Sequence, residues 1–168
     1  MRNLEIRKAK PSDLDEIFKM QLSLQKHLEK SNPSIWRYTK EKEDQIRQNF
    51  ENQFKDENHL LLIAEVKGEP VGLAHGEVQH RTTHTPETIG WISTVFVHEN
   101  FRRQGVGRRL VKEICRFFKS KNVKDIYLRY VLGNKEGEKL WENLGFKPIL
   151  VTAHSLIDTI EKRTSTIL

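Results

Sequence analysis

The run Val95-Phe96-Val97-His98-Glu99-Asn100-Phe101-Arg102-Arg103-Gln104-Gly105-Val106-Gly107-Arg108-Arg109-Leu110 constrains the fold more than any other part of the chain. It reads as a strand, a short basic loop with two glycines, and the start of an apolar-striped helix. Glycine permits close approach and unusual φ angles, so such a loop can wrap its backbone N–H groups around a phosphate. The helix behind it adds unpaired N–H groups and a positive dipole end. Arg102, Arg103, Arg108 and Arg109 surround that point with positive charge, as a pyrophosphate site would require. A Walker loop needs Lys-Ser/Thr after its last glycine, and Arg108-Arg109 stands there instead. A dinucleotide fingerprint needs a third glycine at position 110, which is Leu110. What remains is Arg-x-x-Gly-x-Gly, Arg102 to Gly107, which taken alone serves equally as a solvated basic turn capping a helix.

The flanking pattern supplies the rest of the architecture. Leu4 to Lys8 alternates like a short strand. Pro11-Ser12-Asp13 starts a helix carrying Leu14, Ile17, Phe18, Leu22 and Leu24 to Leu28 at helical spacing, with acidic residues at its positive end. After the break at Ser31-Asn32-Pro33-Ser34, a polar helix from about Thr39 to Phe54 has only Ile46, Phe50 and Phe54 on its apolar side, so it should lie over the body. His59 to Val66 and Pro70 to Gln79 are strands joined by Lys67-Gly68-Glu69. A polar loop, His80 to Glu87, leads to a strand from Thr88 to His98. Gly105 to Ser120 is a buried helix, Asp125 to Tyr130 a strand, Asn134 to Asn143 a helix ended by Gly145, and Ile149 to Ala153 a last strand. After His154 the pattern fades. The order predicts an α/β protein with a mixed sheet sandwiched between helices, in one domain spanning 1–168.

Composition narrows the function. With 168 residues, the chain has room for one core. It contains no uncharged apolar run of membrane-spanning length. Charges occupy the start, Met1 to Lys8, where a signal peptide needs its apolar stretch, so a cytoplasmic protein with no membrane partner is expected. Cys115 is the one cysteine, which excludes an internal disulfide and a cysteine-based zinc site. The formal charge of +6 favours anionic partners. Nucleic acid is disfavoured among them, because no series of stacking aromatics and no recognition helix accompanies the arginines.

The Arg102–Gly107 loop after Val95-Phe96-Val97 resembles the cofactor loop of the GNAT superfamily of N-acetyltransferases. A second block, Asn134-Lys135-Glu136-Gly137-Glu138-Lys139-Leu140-Trp141-Glu142-Asn143-Leu144-Gly145-Phe146, is similar to that family's Asn-x-x-Ala-x-x-Leu-Tyr-x-x-x-Gly-Phe helix. The likeness covers roughly residues 4–153. It implies acetyl-CoA as cosubstrate, no metal, and a three-layer sandwich whose twisted mixed sheet splays between its fourth and fifth strands. It also implies that Val95 and Val97, with Phe96 between them, offer backbone groups to the pantetheine arm. Arg102, Arg103, Gln104, Gly105, Val106, Gly107 and Arg108 would cradle the pyrophosphate, and the Asn134 side chain would contact pantetheine. Gly137 stands where the family keeps a small residue, and either cofactor approach or a tight helix–sheet contact would explain it. Homodimers are common in the family, so a homodimer is one option here.

The chain departs from the family at the chemistry. Arg129 stands where many protein N-terminal acetyltransferases keep a glutamate base, and Trp91 where histone-type relatives keep one. Trp141 replaces the phenol that protonates the departing thiolate; its indole N–H donates a hydrogen bond but no useful proton. The proline that usually follows the strand is missing at Val97-His98-Glu99. Catalysis can still proceed by direct attack in a ternary complex, with a neutral amine held about 3–3.5 Å from the carbonyl carbon. A strand N–H at the splay is the candidate oxyanion donor.

Glu77 is the first candidate base, sharing one strand face with His75. Tyr130 is the alternative acid, and Trp141 the residue shaping the thiol cavity. Trp36 and Tyr38 are candidates for the acceptor pocket. His80 and His84 lack a third metal ligand and read as a solvated loop, and Lys40 to Asp44 as a solvated helix face. Cys115 reads as an inert core thiol. The expected activity is acetyl transfer from acetyl-CoA to a primary amine, with a small molecule preferred over a protein α- or ε-amine. A non-catalytic acetyl-CoA-binding module is the competing reading.

Overall fold

A computed structural model describes residues 3–165; Met1, Arg2 and 166–168, the two ends of the expected domain, lie outside the described residues. The elements run β1 (Leu4–Lys8), α1 (Leu14–Ser31), α2 (Glu43–Lys55), β2 (His59–Val66), β3 (Glu69–His80), β4 (Thr88–Val97), α3 (Val106–Ser120), β5 (Ile126–Leu128), α4 (Lys135–Asn143) and α5 (Ile157–Ser165). Strands lie side by side in chain order, β1-β2-β3-β4-β5. The first four are antiparallel neighbours, and β5 joins β4 in parallel after the α3 crossover.

Helices cover both faces. On one, Ile17 and Met20 of α1 and Phe50 of α2 pack with Leu61, Ile63, Leu73 and Phe96. On the other, Val106, Leu110, Val111, Ile114 and Phe118 of α3 pack with Leu62, Ala64, Ala74, Val78 and Ile92. Strand alternation sends neighbouring residues to opposite cores. The α3 side chains are no more than 3% exposed, and each contributes about 1.5–3 kcal/mol of gross burial. Gly90 lets α3 close on the sheet, because a Cβ there would sit 2.6 Å from the Phe118 ring. Arg7 fastens the start of the chain. Its guanidinium donates to Glu65 on β2 and, in a fork, to both Asp13 oxygens at 2.8 and 2.9 Å. That hydrogen-bonded guanidinium holds the Asp13 carboxyl below its usual range.

The C-terminal part corrects the reading from sequence. Ile149 to Ala153 forms no strand, and every described residue from Lys147 onward is exposed. The apolar run has strand propensity, but it pairs with no strand among the described residues. The fifth strand is also shorter than the expected 125–130, and α5 occupies the tail where no pattern was legible.

Candidate active site

The site is organised by an irregularity in β4. His75 is opposite Thr94 but Gly76 is opposite Ile92, leaving Ser93 as an extra residue, a β-bulge that raises local twist. Pairing with β5 stops at the same place, after Ile92↔Leu128. From Ser93 to Val97 the outer edge of β4 has no strand beside it among the described residues, so the sheet opens between β4 and β5.

On the α3 face, Val95 and Val97 pack in the α3 core and lie 4.0 and 3.8 Å from the position a Gly107 Cβ would take. Phe96 points the other way, 5% exposed in the opposite core, so only its backbone is on the open edge. After a short turn the loop takes left-handed conformations at Arg103 (φ 59°) and Gly105 (φ 84°). A Cβ on Gly105 would meet nothing within 4 Å, so its φ, not crowding, demands glycine. Gly105 caps α3 without any side-chain hydrogen bond. Arg109 N–H bonds the Gly105 carbonyl at 3.0 Å, which leaves the N–H groups of Val106, Gly107 and Arg108 without helical acceptors. Arg103, Gln104, Arg108 and Arg109 are exposed around them.

Three expected cofactor residues prove to have work inside the protein. Arg102 donates through Nε to the Val97 carbonyl at 3.0 Å and pairs with Glu136 at 2.6 Å, clamping β4 to α4. Asn134 caps α4: its Oδ1 accepts the Gly137 N–H at 3.2 Å and lies 3.2 Å from His27 Nε2 of α1. A Cβ on residue 137 would fall 2.7 Å from Asn134 Nδ2. That atom is the end of a flexible side chain, so the cap favours a small residue at 137 without demanding glycine. Trp141 is 8% exposed and meets Phe146 edge-to-face at 5.5 Å. With Tyr130, Glu138 and Pro148 these two rings line a cavity of about 420 Å³.

The opposite face holds Glu77. It does not share the cavity of Tyr130 and Trp141, so the three candidate catalytic residues are split between two sides of the sheet. Glu77 accepts from Gln79 Nε2 at 2.6 Å and from Ser93 Oγ at 3.4 Å, the latter at the bulge itself. His59 Nε2 lies 3.7 Å from Glu77 and 3.5 Å from Asp56, while its Nδ1 lies 2.9 Å from His75 Nε2. The two imidazoles stack with centroids 5.2 Å apart. Burial, and secondarily His59, pushes the His75 pKa down to about 3, so this ring is neutral at ordinary pH.

His59 escaped the sequence reading; counting back along the hairpin from Lys67-Gly68 would have set it opposite Gly76, and only the register shift at Ala64/Glu65 brings it opposite Glu77. Also missed was Gln21, which accepts from Thr94 Oγ1 at 3.2 Å and donates to Tyr38 OH at 3.1 Å, tying the segment before α2 to β4 beyond the bulge. Trp36 is 66% exposed nearby in sequence, with its carbonyl bonded by Gln25. Arg129 lies 5.4 Å from the Trp91 ring centroid in a cation–π contact, so the two residues at the family's glutamate positions hold each other. Cys115 packs against the α3 core and burial raises its thiol pKa. Among the described residues no group of three His, Cys, Asp or Glu could hold a metal, and no helix is long and apolar enough to cross a membrane.

A strand that opens at a bulge beside an uncapped helix N-terminus and a left-handed basic loop matches the sequence resemblance in three dimensions. The family profile described as Acetyltransferase (GNAT) family matches residues 22–146. The chain belongs to the GNAT acetyltransferase family. Its chemistry is acetyl transfer from acetyl-CoA.

Among similar GNAT proteins, an uncharacterized N-acetyltransferase of Archaeoglobus fulgidus is 24% identical over 72% of this chain and 78% of its own length. N-alpha-acetyltransferase 30 of Dictyostelium discoideum is 28% identical over 60% of this chain, a match spanning 51% of that protein. In fold, the chain resembles a predicted acetyltransferase of Clostridium acetobutylicum solved with acetyl-CoA (TM-score 0.75, 15% identity, covering 93% of this chain and 97% of that one). It also resembles an aminoglycoside N-acetyltransferase solved with CoA (TM-score 0.70, 17% identity, covering 91% and 93%).

Proposed function

We propose that this GNAT protein acetylates the primary amine of a small molecule. The observation that carries the reading is the opening between β4 and β5, with a phosphate-suited loop on one face of the sheet and a carboxylate–imidazole group on the other. On the α3 face, the free N–H groups of Val106, Gly107 and Arg108, with Arg103 and Arg108, would hold the pyrophosphate of acetyl-CoA. The unpaired edge at Val95, Phe96 and Val97 would hold its pantetheine amides. Acetyl-CoA supplies the activated acetyl group when bound.

From the α1/α2 face, Glu77 is the base: it takes the proton of the attacking amine as the new C–N bond forms and the C–S bond breaks. His59, within reach of both Glu77 and Asp56, orients that carboxylate. Tyr130 and Trp141 lie on the α4 side, suited to the thiol end: Trp141 excludes water, and Tyr130 or solvent returns a proton to the thiolate. The small-molecule preference is supported by the loss of the fifth-strand glutamate and by the fold shared with an aminoglycoside enzyme.

The test is thiol release from acetyl-CoA across polyamines, amino acids, aminoglycosides and peptide N-termini. Glu77→Gln should lower kcat about 10²–10⁴-fold, most strongly at low pH where the amine needs help losing its proton. Acetyl-CoA binding without turnover on any amine would favour the non-catalytic module, and turnover on peptides alone would overturn the small-molecule assignment.

A further inference from the structure

The cross-strand register lays one row of side chains over the face that carries Glu77. His59 is opposite Glu77, Glu77 is opposite Trp91, and Trp91 is level with Tyr127. Residues paired in this way point to the same side of a sheet. The alternate positions Gly76, Gly90 and Ile92 meet α3 on the other side, so the row belongs to the α1/α2 face.

Two cations sit on its aromatic members. Arg81 lies over the Tyr127 ring at 5.2 Å, and its Nε and Nη2 donate to the Pro86 carbonyl at 3.2 and 2.7 Å, so it is occupied in holding the loop before β4. Arg129 lies over the Trp91 ring at 5.4 Å and has no hydrogen bond or ion pair among the described residues. Its place is equally specific. Pairing of β4 with β5 ends at Ile92↔Leu128, so Arg129 follows at the level of Ser93, the bulged residue whose hydroxyl reaches Glu77. Glu77 and Arg129 thus flank Ser93 from the two neighbouring strands, where the sheet opens. Two strand spacings put their backbones about 10 Å apart, and their side chains reduce that gap to the span of a small bifunctional molecule.

A guanidinium stays charged at any working pH and offers a planar fork of donors that fits a carboxylate. Stacking on the indole orients that plane without using the donors. At the mouth of the opening it repels a cationic acceptor and attracts an anionic one. Building on the placement of the acceptor at Glu77 proposed above, we infer that Arg129 determines specificity: the acceptor is a small amine that also carries a carboxylate, its amine directed at Glu77 and its carboxylate held by Arg129. Polyamines and aminoglycosides, which bring only further cations, are then the poorer substrates.

Steady-state acetylation of α- and ω-amino acids is compared with that of their primary amides, each expressed per free amine because amidation lowers the basicity of the amine itself. Wild-type kcat/KM should favour the acids about tenfold, as hydrogen bonds to a charged group would provide, and chiefly through KM. Arg129→Gln should bring the acid-to-amide ratio close to one. Arg129→Lys should restore part of it, since the charge returns without the fork. Arg129 is exposed, so neither change opens a cavity, and a merely structural role would move acids and amides together with their ratio intact. A wild-type protein that treats acids and amides alike, or prefers polyamines, overturns the role of Arg129 while leaving the small-amine reading in place. A preference for acids that survives Arg129→Gln does the same. Turnover of no amine at all overturns the reading of the site itself, and the role of Arg129 with it.

Discussion

Helix α3 and the C-terminal arm carry apolar residues in similar number, yet one hides them and the other displays them. Val106, Leu110, Val111, Ile114 and Phe118 are 0–3% exposed, whereas Ile149, Leu150, Val151, Leu156, Ile157 and Ile160 of the arm are 51% exposed or more. The difference is not in the residues but in what stands opposite. For α3 the sheet supplies Gly90, whose missing side chain admits Phe118; the arm buries none of its described residues. An apolar stripe thus declares that something must cover it without saying what does so.

The sharpest way to break this contrast is to remove the largest fully buried side chain. Phe118→Ala should lower unfolding free energy by about 3–5 kcal/mol, measured by denaturant unfolding, because a buried phenyl leaves a cavity the helix cannot close. A loss below about 1 kcal/mol would mean that α3 is no better packed than the arm.

A second contrast lies within the sheet, between neutral His75 and its environment of His59, Glu77 and Asp56. In the unfolded chain His75 takes up a proton near pH 6.5, but in the folded protein only near pH 3. Between those values the unfolded state binds more protons, so stability falls as pH drops through 6.5 toward 3. At pH 5 the loss attributable to His75 is about 2 kcal/mol. His75→Gln, whose side-chain amide can donate or accept toward His59 Nδ1, should flatten that part of the stability–pH curve by close to one proton. An unchanged slope would place the titration elsewhere.

What could be read from sequence follows the same division. The loop and α3 were legible because their chemistry is local: adjacent arginines, a glycine at a left-handed position, and an apolar period of one helix. The sheet order and the opening at β4 followed from the resemblance together with the strand pattern. The pairing of His59 with His75 was not legible, since it joins residues 16 apart across a hairpin whose register shifts at Ala64/Glu65. Arg102 and Asn134 stand out in the sequence as candidate cofactor residues, but not as a clamp and a cap, because Glu136 and His27 come from elements whose docking the sequence does not state. Ile149 to Ala153 was read as a strand from propensity alone, and propensity does not supply an edge to pair with.

A third prediction compares backbone with contact at the loop. Gly105→Ala adds a methyl into open space, so its whole effect comes from forcing φ 84° on a residue with a Cβ. It should cost about 1–2 kcal/mol of stability. It should also weaken acetyl-CoA binding by calorimetry roughly tenfold, because the strained turn re-aims the N–H groups that follow. Equal acetyl-CoA affinity in the variant would show that the loop does not present those groups to phosphate.

The smallest effect is expected on the arm, and it is the one that distinguishes a covered stripe from a displayed one. Ile160 lies in α5, none of whose residues is buried, and is itself 51% exposed, so Ile160→Ser removes little packing from the folded single chain. Its unfolding free energy should match wild type within about 0.5 kcal/mol, as for surface substitutions generally. Denaturant unfolding of the two proteins measures this. A loss above about 1 kcal/mol would mean that Ile160 packs against its own chain and that the stripe is covered after all.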